Sequence, residues 1–484
     1  MPSVTRRKVL LSASGAALAS ALPRAVRAQS QRIIMNDASR LNPTPVFSHW
    51  VAKGEPEAEL IARLRRELKE AASLKRPVVM GAARHSMGGQ ALARNGTGIA
   101  FDINRCEPDT EKKIFRVNAG TRWYQVIDTL DKIGFSPAVM QSNSDFGVAS
   151  TFCVNAHGWP TPYGPFGATV QAFRMMLADG TIVSCSRTEN AELFGLMMGG
   201  YGLCGVILDL DVQMVENQLM RPRYEKMPAA QFAHHFVDAI DNDKAVKMIY
   251  GRLNVSKSDF FSESLLITYR PEPAPATGLP RVTRKGPLTG LSREIYRAQI
   301  GSETAKKARW LAETAIAPNA TKGIATRNTL MNEPVANLEN RDMRRTDILH
   351  EYFVAPERFN DFLRACQEVI PKGRAEFLNV TLRYVAKDET SVLSYATTNR
   401  IAAVMSFSQQ VTPEGEADML RTTEMLIDRV AAIGGSFYLP YRLHARRDQI
   451  EKVYANTPHF IERKRHYDPN LLFRNAMWDA YFSS

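Results

Sequence analysis

At 484 residues the chain is too long for one compact core, and two domains of about 150–250 residues are the ordinary arrangement. Its 44% apolar and 23% charged residues are those of a soluble globular protein, and no uninterrupted apolar run reaches about 18 residues after the N-terminus, which speaks against a membrane-spanning body. The formal charge of +12 comes without a basic stripe interleaved with aromatics, so it gives no ground for a nucleic-acid partner.

The N-terminus places Arg6, Arg7 and Lys8 before an apolar Ala/Ser-rich stretch that ends in Val26-Arg27-Ala28. A basic end, a short apolar segment and small residues at a cleavage site predict an export signal over 1–28, and the paired arginines predict the twin-arginine route and a periplasmic or otherwise exported protein. Residues 29–50 are polar and read as an extended lead-in. Leu60, Ile61, Leu64, Leu68 and Ala71 then recur at helical steps and predict a helix from about 55 to 74, with a strand at Pro77–Met80. Strands at 98–103 and 114–119 precede a second helix near 122–133. A Gly/Pro-rich loop follows over 142–167. The Asp179-Gly180 dipeptide predicts a hairpin between strands at 172–177 and 181–185.

Gly200, Gly202 and Gly205 satisfy GxGxxG, but a helical pattern (191–198) precedes them and a strand (206–212) follows. A nicotinamide-binding unit needs the opposite order, so the motif is declined. Beyond Asn217 the texture changes to longer helical patterns, a Pro-rich loop (271–287) and strands at 378–385 and 402–408, and the chain from 448 is helical. The boundaries predicted are 1–28, 29–217, 218–447 and 448–484. Cys106, Cys153, Cys185, Cys204 and Cys366 form no CxxC pair, which argues against a zinc site or a redox dithiol.

Two loops carry the chemistry. Gly81-Ala82-Ala83-Arg84-His85-Ser86 follows a strand, and its small residues leave backbone N–H groups free for phosphate oxygens. Asp145 to Thr151, continuing to Asn155 and Gly158, combines small residues with hydroxyls. With the glycines at 199–205, these loops fit a long diphosphate cofactor.

The run Arg84 to Ala91, then Asn155-Ala156-His157-Gly158, Asp179-Gly180, Glu192-Leu193-Phe194 and Gly200 to Ile207, resembles in order and spacing the flavoproteins related to vanillyl-alcohol oxidase and p-cresol methylhydroxylase, with local likeness to cytokinin dehydrogenases and sugar-alcohol or aldonolactone oxidases. The resemblance implies an α+β fold: a two-subdomain FAD-binding domain of the p-cresol methylhydroxylase type, and a substrate domain with an antiparallel sheet flanked by helices, from which the C-terminal segment returns to the first domain. It implies FAD held by Gly81, Ala82, Ala83, Arg84, His85, Ser86, Gln90, Asp145, Ser150, Thr151, Asn155, Gly158, Val206, Ile207, Tyr438 and Asn475, with an 8α-histidyl bond to His85. Arg84 stands where such chains often carry glycine, and no cysteine lies in 142–150 for a second bond.

In the second half, Arg383 resembles a substrate-facing arginine, and Thr381 stands where a glutamate is expected. Hydride leaves a carbon more readily as the attached O–H or N–H loses its proton, so a base is needed. His444 is the candidate, with Tyr441 as the alternative, and Arg383 would stabilise developing negative charge. The activity expected is hydride abstraction from a CH–OH group of a small sugar, lactone or alcohol. The alternatives are oxidation of a CH–NH bond and a flavin electron-transfer protein without turnover. Oxygen, a quinone or a cytochrome would take the electrons.

Overall fold

Leu60, Leu64, Leu68 and Ala71 line the buried face of the helix Glu57–Ser73, whose first turn carries Glu57 and Glu59 beside the unpaired N–H groups of its start. This helix leads into the strand Val78–Gly81. The computed structural model describes residues 33–483 apart from 276, 284–288, 317, 319–323 and 335–339. The export signal expected over 1–28, and part of the Pro-rich loop, lie outside the described residues.

Three sheets of three or more strands, beside a two-stranded pairing of Ile33–Met35 with Thr44–Val46, organise the described chain as an α+β fold. In a parallel three-stranded sheet, Thr97–Phe101 lies between Ser48–Ala52 and Val78–Gly81. An antiparallel sheet runs in the order Ile182–Ser186, Val170–Met176, Val206–Glu216, Ile114–Asn118, Cys106–Asp109, and Phe135–Pro137 pairs with the far end of Val206–Glu216. The hairpin at Asp179-Gly180 forms as the dipeptide predicts, with Gly180 at φ +84°. Trp123, Phe115, Phe152, Phe166, Phe173 and Phe194 are fully buried in the core of this region.

The third sheet has eight strands in the order Ala325–Thr326, Leu219–Pro228, Glu263–Glu272, Met248–Leu253, Glu376–Val385, Arg400–Gln410, Arg345–Val354, Ser436–Phe437. It adds to the helical texture expected beyond Asn217 three strands that the sequence did not mark, Leu219–Pro228, Met248–Leu253 and Glu263–Glu272, around the helix Phe232–Asp241. The ten-residue pairing of Leu219–Pro228 with Glu263–Glu272, Pro271 included, decides that conformation where local pattern does not. The helix Pro413–Ala432 opens on Thr412, whose hydroxyl accepts the Gly415 N–H at 3.1 Å. Its buried face includes Thr423, which meets His350 of the sheet.

After the helices Arg447–Val453 and Thr457–Tyr467, the chain runs beside Val78–Gly81. The Val78 N–H donates to the Leu472 carbonyl at 2.7 Å, and the Arg474 N–H donates to the Val78 carbonyl at 3.2 Å. Among the described residues no helix is long and apolar enough to cross a membrane, no His/Cys/Asp/Glu group is arranged to hold a metal, and all five cysteines are free thiols.

Candidate active site

A cavity of about 230 Å³ lies where the end of Val78–Gly81, the 141–157 segment, the glycine turn at 201–205 and the eight-stranded sheet converge. Gly81, Ala82, Ala83, Arg84, His85 and Ser86 form one wall. Arg84 is in the left-handed region at φ +53°, which explains why glycine is at home at this position and why an arginine here carries about 1 kcal/mol of strain. Its carbonyl accepts the Ala38 N–H at 3.0 Å, while no backbone carbonyl among the described residues takes the N–H of any residue from 82 to 86.

The loop is fixed from its far end. Gly89 N–H donates to Asp37 at 2.8 Å, and the Met87 carbonyl accepts from Asn42 at 2.9 Å and from Arg442 at 3.1 Å. Gln90 Nε2 donates to the Leu439 and Tyr441 carbonyls. Thus the 438–441 turn and the 81–90 loop are placed as one piece. His85 stacks on Phe146 with ring centroids 4.4 Å apart. Burial pushes its imidazole down to about 4, with Asp145 opposing and Arg122 assisting, so the ring is neutral near pH 7.

Gln90, Ser150, Ile207 and Tyr438 also line the cavity, the Tyr438 hydroxyl donating to the Val154 carbonyl at 2.7 Å. The remaining cofactor candidates do not. Thr151 lies beneath the wall, bonded to Trp123 and Gln141, and Asn155 ties Asp388 to Gly167. A Cβ at Gly158 would overlap the Met140 carbonyl oxygen, so this glycine serves a close backbone crossing. Val206 is buried in its strand, and Asp145 is outside the lining although its charge reaches His85. Asn475 joins the Gln90 and Tyr201 carbonyls at 2.9 and 3.4 Å, linking two loops behind the wall.

The opposite wall comes from the large sheet: Leu349 and Glu351, Arg383, and Val404, with Tyr441 beside them. Arg383 donates to Ser142 Oγ at 2.7 Å and to the His157 carbonyl at 3.3 Å, and burial lowers its basicity. Tyr441 donates to Glu351 Oε2 at 3.1 Å. Burial, then the Glu351 charge, pushes the Tyr441 and Tyr438 phenols well above their ordinary value, although for Tyr438 the neighbouring Tyr395 ranks ahead of Glu351.

His444 corrects the expectation of a base. It is outside the cavity, with Nε2 against Glu416 at 2.8 Å and Nδ1 against Thr423 at 3.1 Å, so neither nitrogen is free for a substrate proton. Burial alone would raise the Glu416 carboxyl, but hydrogen bonds from His444 and Arg442 hold it down to about 2. Sequence reasoning missed Glu351 and Ser142 on the wall, whereas Gly202 belongs to the glycine run 199–205 expected to meet the cofactor. Glu351 sits within the strand run Leu349-His350-Glu351-Tyr352-Phe353, and only the alternation of that strand marks Leu349 and Glu351 as sharing a face.

Residues 57–186 match a family described as FAD binding domain. That part of the chain is an FAD-binding domain. The loops around it suit the cofactor: the N–H groups of 82–86 are available to phosphate oxygens, and Gly202, at φ +69°, has open space where a Cβ would stand. The mitochondrial L-galactono-1,4-lactone dehydrogenase of Brassica oleracea is 27% identical over 198 residues, 40% of this chain and 32% of that protein. L-gulonolactone oxidase of Mus musculus is 33% identical over 107 residues, 22% and 24% of the two chains. Cytokinin dehydrogenase 1 of Arabidopsis thaliana is 30% identical over 129 residues, 25% and 22%. The aligned stretch thus spans a third or less of each of these relatives, and all three likenesses are to proteins whose names describe oxidation or dehydrogenation.

Proposed function

We propose that the chain is an FAD-dependent oxidoreductase that removes a hydride from a CH–OH carbon of a small sugar, lactone or alcohol. One observation carries this reading: the loops of the FAD-binding domain face a half-buried guanidinium, Arg383, across a single cavity. FAD, when bound, supplies a two-electron oxidant; the protein supplies placement and charge. Gly81 to Ser86 and Ser150 would hold the cofactor, with Tyr438 and Ile207 closing the cavity around it. Arg383, fixed by Ser142 and the His157 carbonyl, orients the substrate oxygen and offsets the negative charge that grows on it. The names of the lactone-oxidising relatives support this substrate class.

The finer reading adds a covalent 8α-histidyl bond at His85, supported by a neutral imidazole on the cavity wall. Acid-precipitated protein should then keep its yellow colour, and His85→Ala should lose it. The Arg6-Arg7 pair supports an exported, periplasmic protein, with oxygen, a quinone or a cytochrome reoxidising the flavin.

The decisive experiment is anaerobic bleaching of the flavin by L-galactono-1,4-lactone, L-gulonolactone, simple polyols and secondary amines. Bleaching by a lactone or alcohol is expected. Bleaching by amines alone would favour CH–NH oxidation, for which the likeness to cytokinin dehydrogenase 1 speaks, and bleaching by none would leave an electron-transfer protein.

A further inference from the structure

Among the described residues that line the cavity, Glu351 is the one carboxylate. Its side chain is 2% exposed, a position in which an unsupported charge would be costly. Three groups support it. His157 Nε2 hydrogen-bonds Oε1, the Tyr441 hydroxyl donates to Oε2 at 3.1 Å, and the Arg383 guanidinium lies on the same wall and interacts with its charge. Each carboxylate oxygen takes one donor from the protein and keeps a second lone pair.

No neighbouring group can do what this carboxylate can. Arg383 is a cation, and Tyr441 is already a donor to Glu351. His157 directs Nε2 to Glu351, while its Nδ1 is closed off and without a partner. His444 is outside the cavity. Resting on the oxidoreductase reading, we propose that Glu351 is the catalytic base: it takes the hydroxyl proton of the substrate while Arg383 holds the oxygen. The O–H and C–H bonds break and the C=O bond forms; the proton passes to the Glu351 carboxylate, and the hydride with both electrons goes to the oxidant that FAD supplies. His157 and Tyr441 are positioning residues that aim the carboxylate.

The test compares wild type, Glu351→Gln and Glu351→Asp, each purified with its FAD, against the panel compound that bleaches wild type fastest. Glu351→Gln should keep wild-type flavin content and melting temperature, and its anaerobic reduction rate should fall at least 100-fold, the order expected for a lost general base. The decline of the wild-type rate toward acid pH should vanish in Glu351→Gln and persist, at a lower plateau, in Glu351→Asp. In infrared spectra of the resting protein taken across pH, a carboxylate signal should titrate with the midpoint of that decline and be absent from Glu351→Gln.

Reduction of Glu351→Gln within threefold of wild type, or an unchanged acid limb, would overturn the proposal alone. A wild type that no compound bleaches would overturn the oxidoreductase reading and the proposal with it. Should Glu351→Gln fail to fold, Tyr441→Phe decides. It removes a donor to the anion, so the acid limb should move to higher pH, and an unmoved limb counts against Glu351.

Discussion

Replacing Lys464 by Met tests whether the buried pair at the C-terminus holds the cofactor loop in place. Lys464 and Asp468 are both 0% exposed and paired with each other, and the ammonium lies 5.7 Å from the Trp478 ring centroid and 5.9 Å from that of Phe473. Asp468 also accepts the N–H groups of Leu472 at 2.9 Å and Phe473 at 2.8 Å, which sets the segment that bonds to Val78. The methionine fills the space of the lysine stem but leaves a buried carboxylate without its cation, a loss of about 3–5 kcal/mol. At about 2 cal/mol/K per residue, unfolding a body of roughly 450 residues has an entropy near 1 kcal/mol/K. The melting temperature of the holoprotein should therefore fall by about 3–5 °C. Differential scanning calorimetry reads this directly. Pairing Lys464→Met with Asp468→Asn should restore part of the loss, because the stranded charge is removed. A single variant that melts within about 1 °C of wild type, where the arithmetic requires more, would refute the assignment of the pair as a support.

Burial pushes His350 down from 6.5 to about 3, with His444 adding to the effect, so the folded protein prefers it neutral while the unfolded chain binds its proton below 6.5. Its contribution is complete above 6.5 and is lost as pH falls; His350→Gln should flatten the dependence of melting temperature on pH between 6.5 and 4.5, and an unaltered slope would count against it. Gly158→Ala should lower FAD occupancy of purified protein at least twofold, because the added methyl overlaps the Met140 carbonyl and must separate the 155–158 turn from the 138–141 segment; full occupancy would show that the crossing yields easily.

Much of the first half was legible because its signals are local. The spacing Leu60, Leu64, Leu68 gives the helix, Asp179-Gly180 gives the hairpin, and the order of helix, glycines and strand at 191–216 rejects a nicotinamide site by local pattern alone. The loop 81–86 was legible for the same reason. What was not legible depends on pairing between distant segments. Arg223 and Thr268 become partners only once two ten-residue strands align, and nothing within either strand announces the other. Likewise Glu351 meets His157 across a separation of 194 residues, and His444 is drawn away from the cavity by Glu416 on the helix Pro413–Ala432. Residue type suggested His444 as a base; only its partners show that both nitrogens are spoken for.

The bridge between Val78 and Phe473 has a consequence for biogenesis. The strand that launches the cofactor loop is synthesised early, yet its outer neighbour follows only after the whole of the eight-stranded sheet has been made. A nascent chain therefore cannot finish this sheet until Phe473 has emerged. Truncation by a premature stop or by carboxypeptidase trimming past Phe473 should weaken flavin retention while leaving every residue of the cavity wall in the polypeptide.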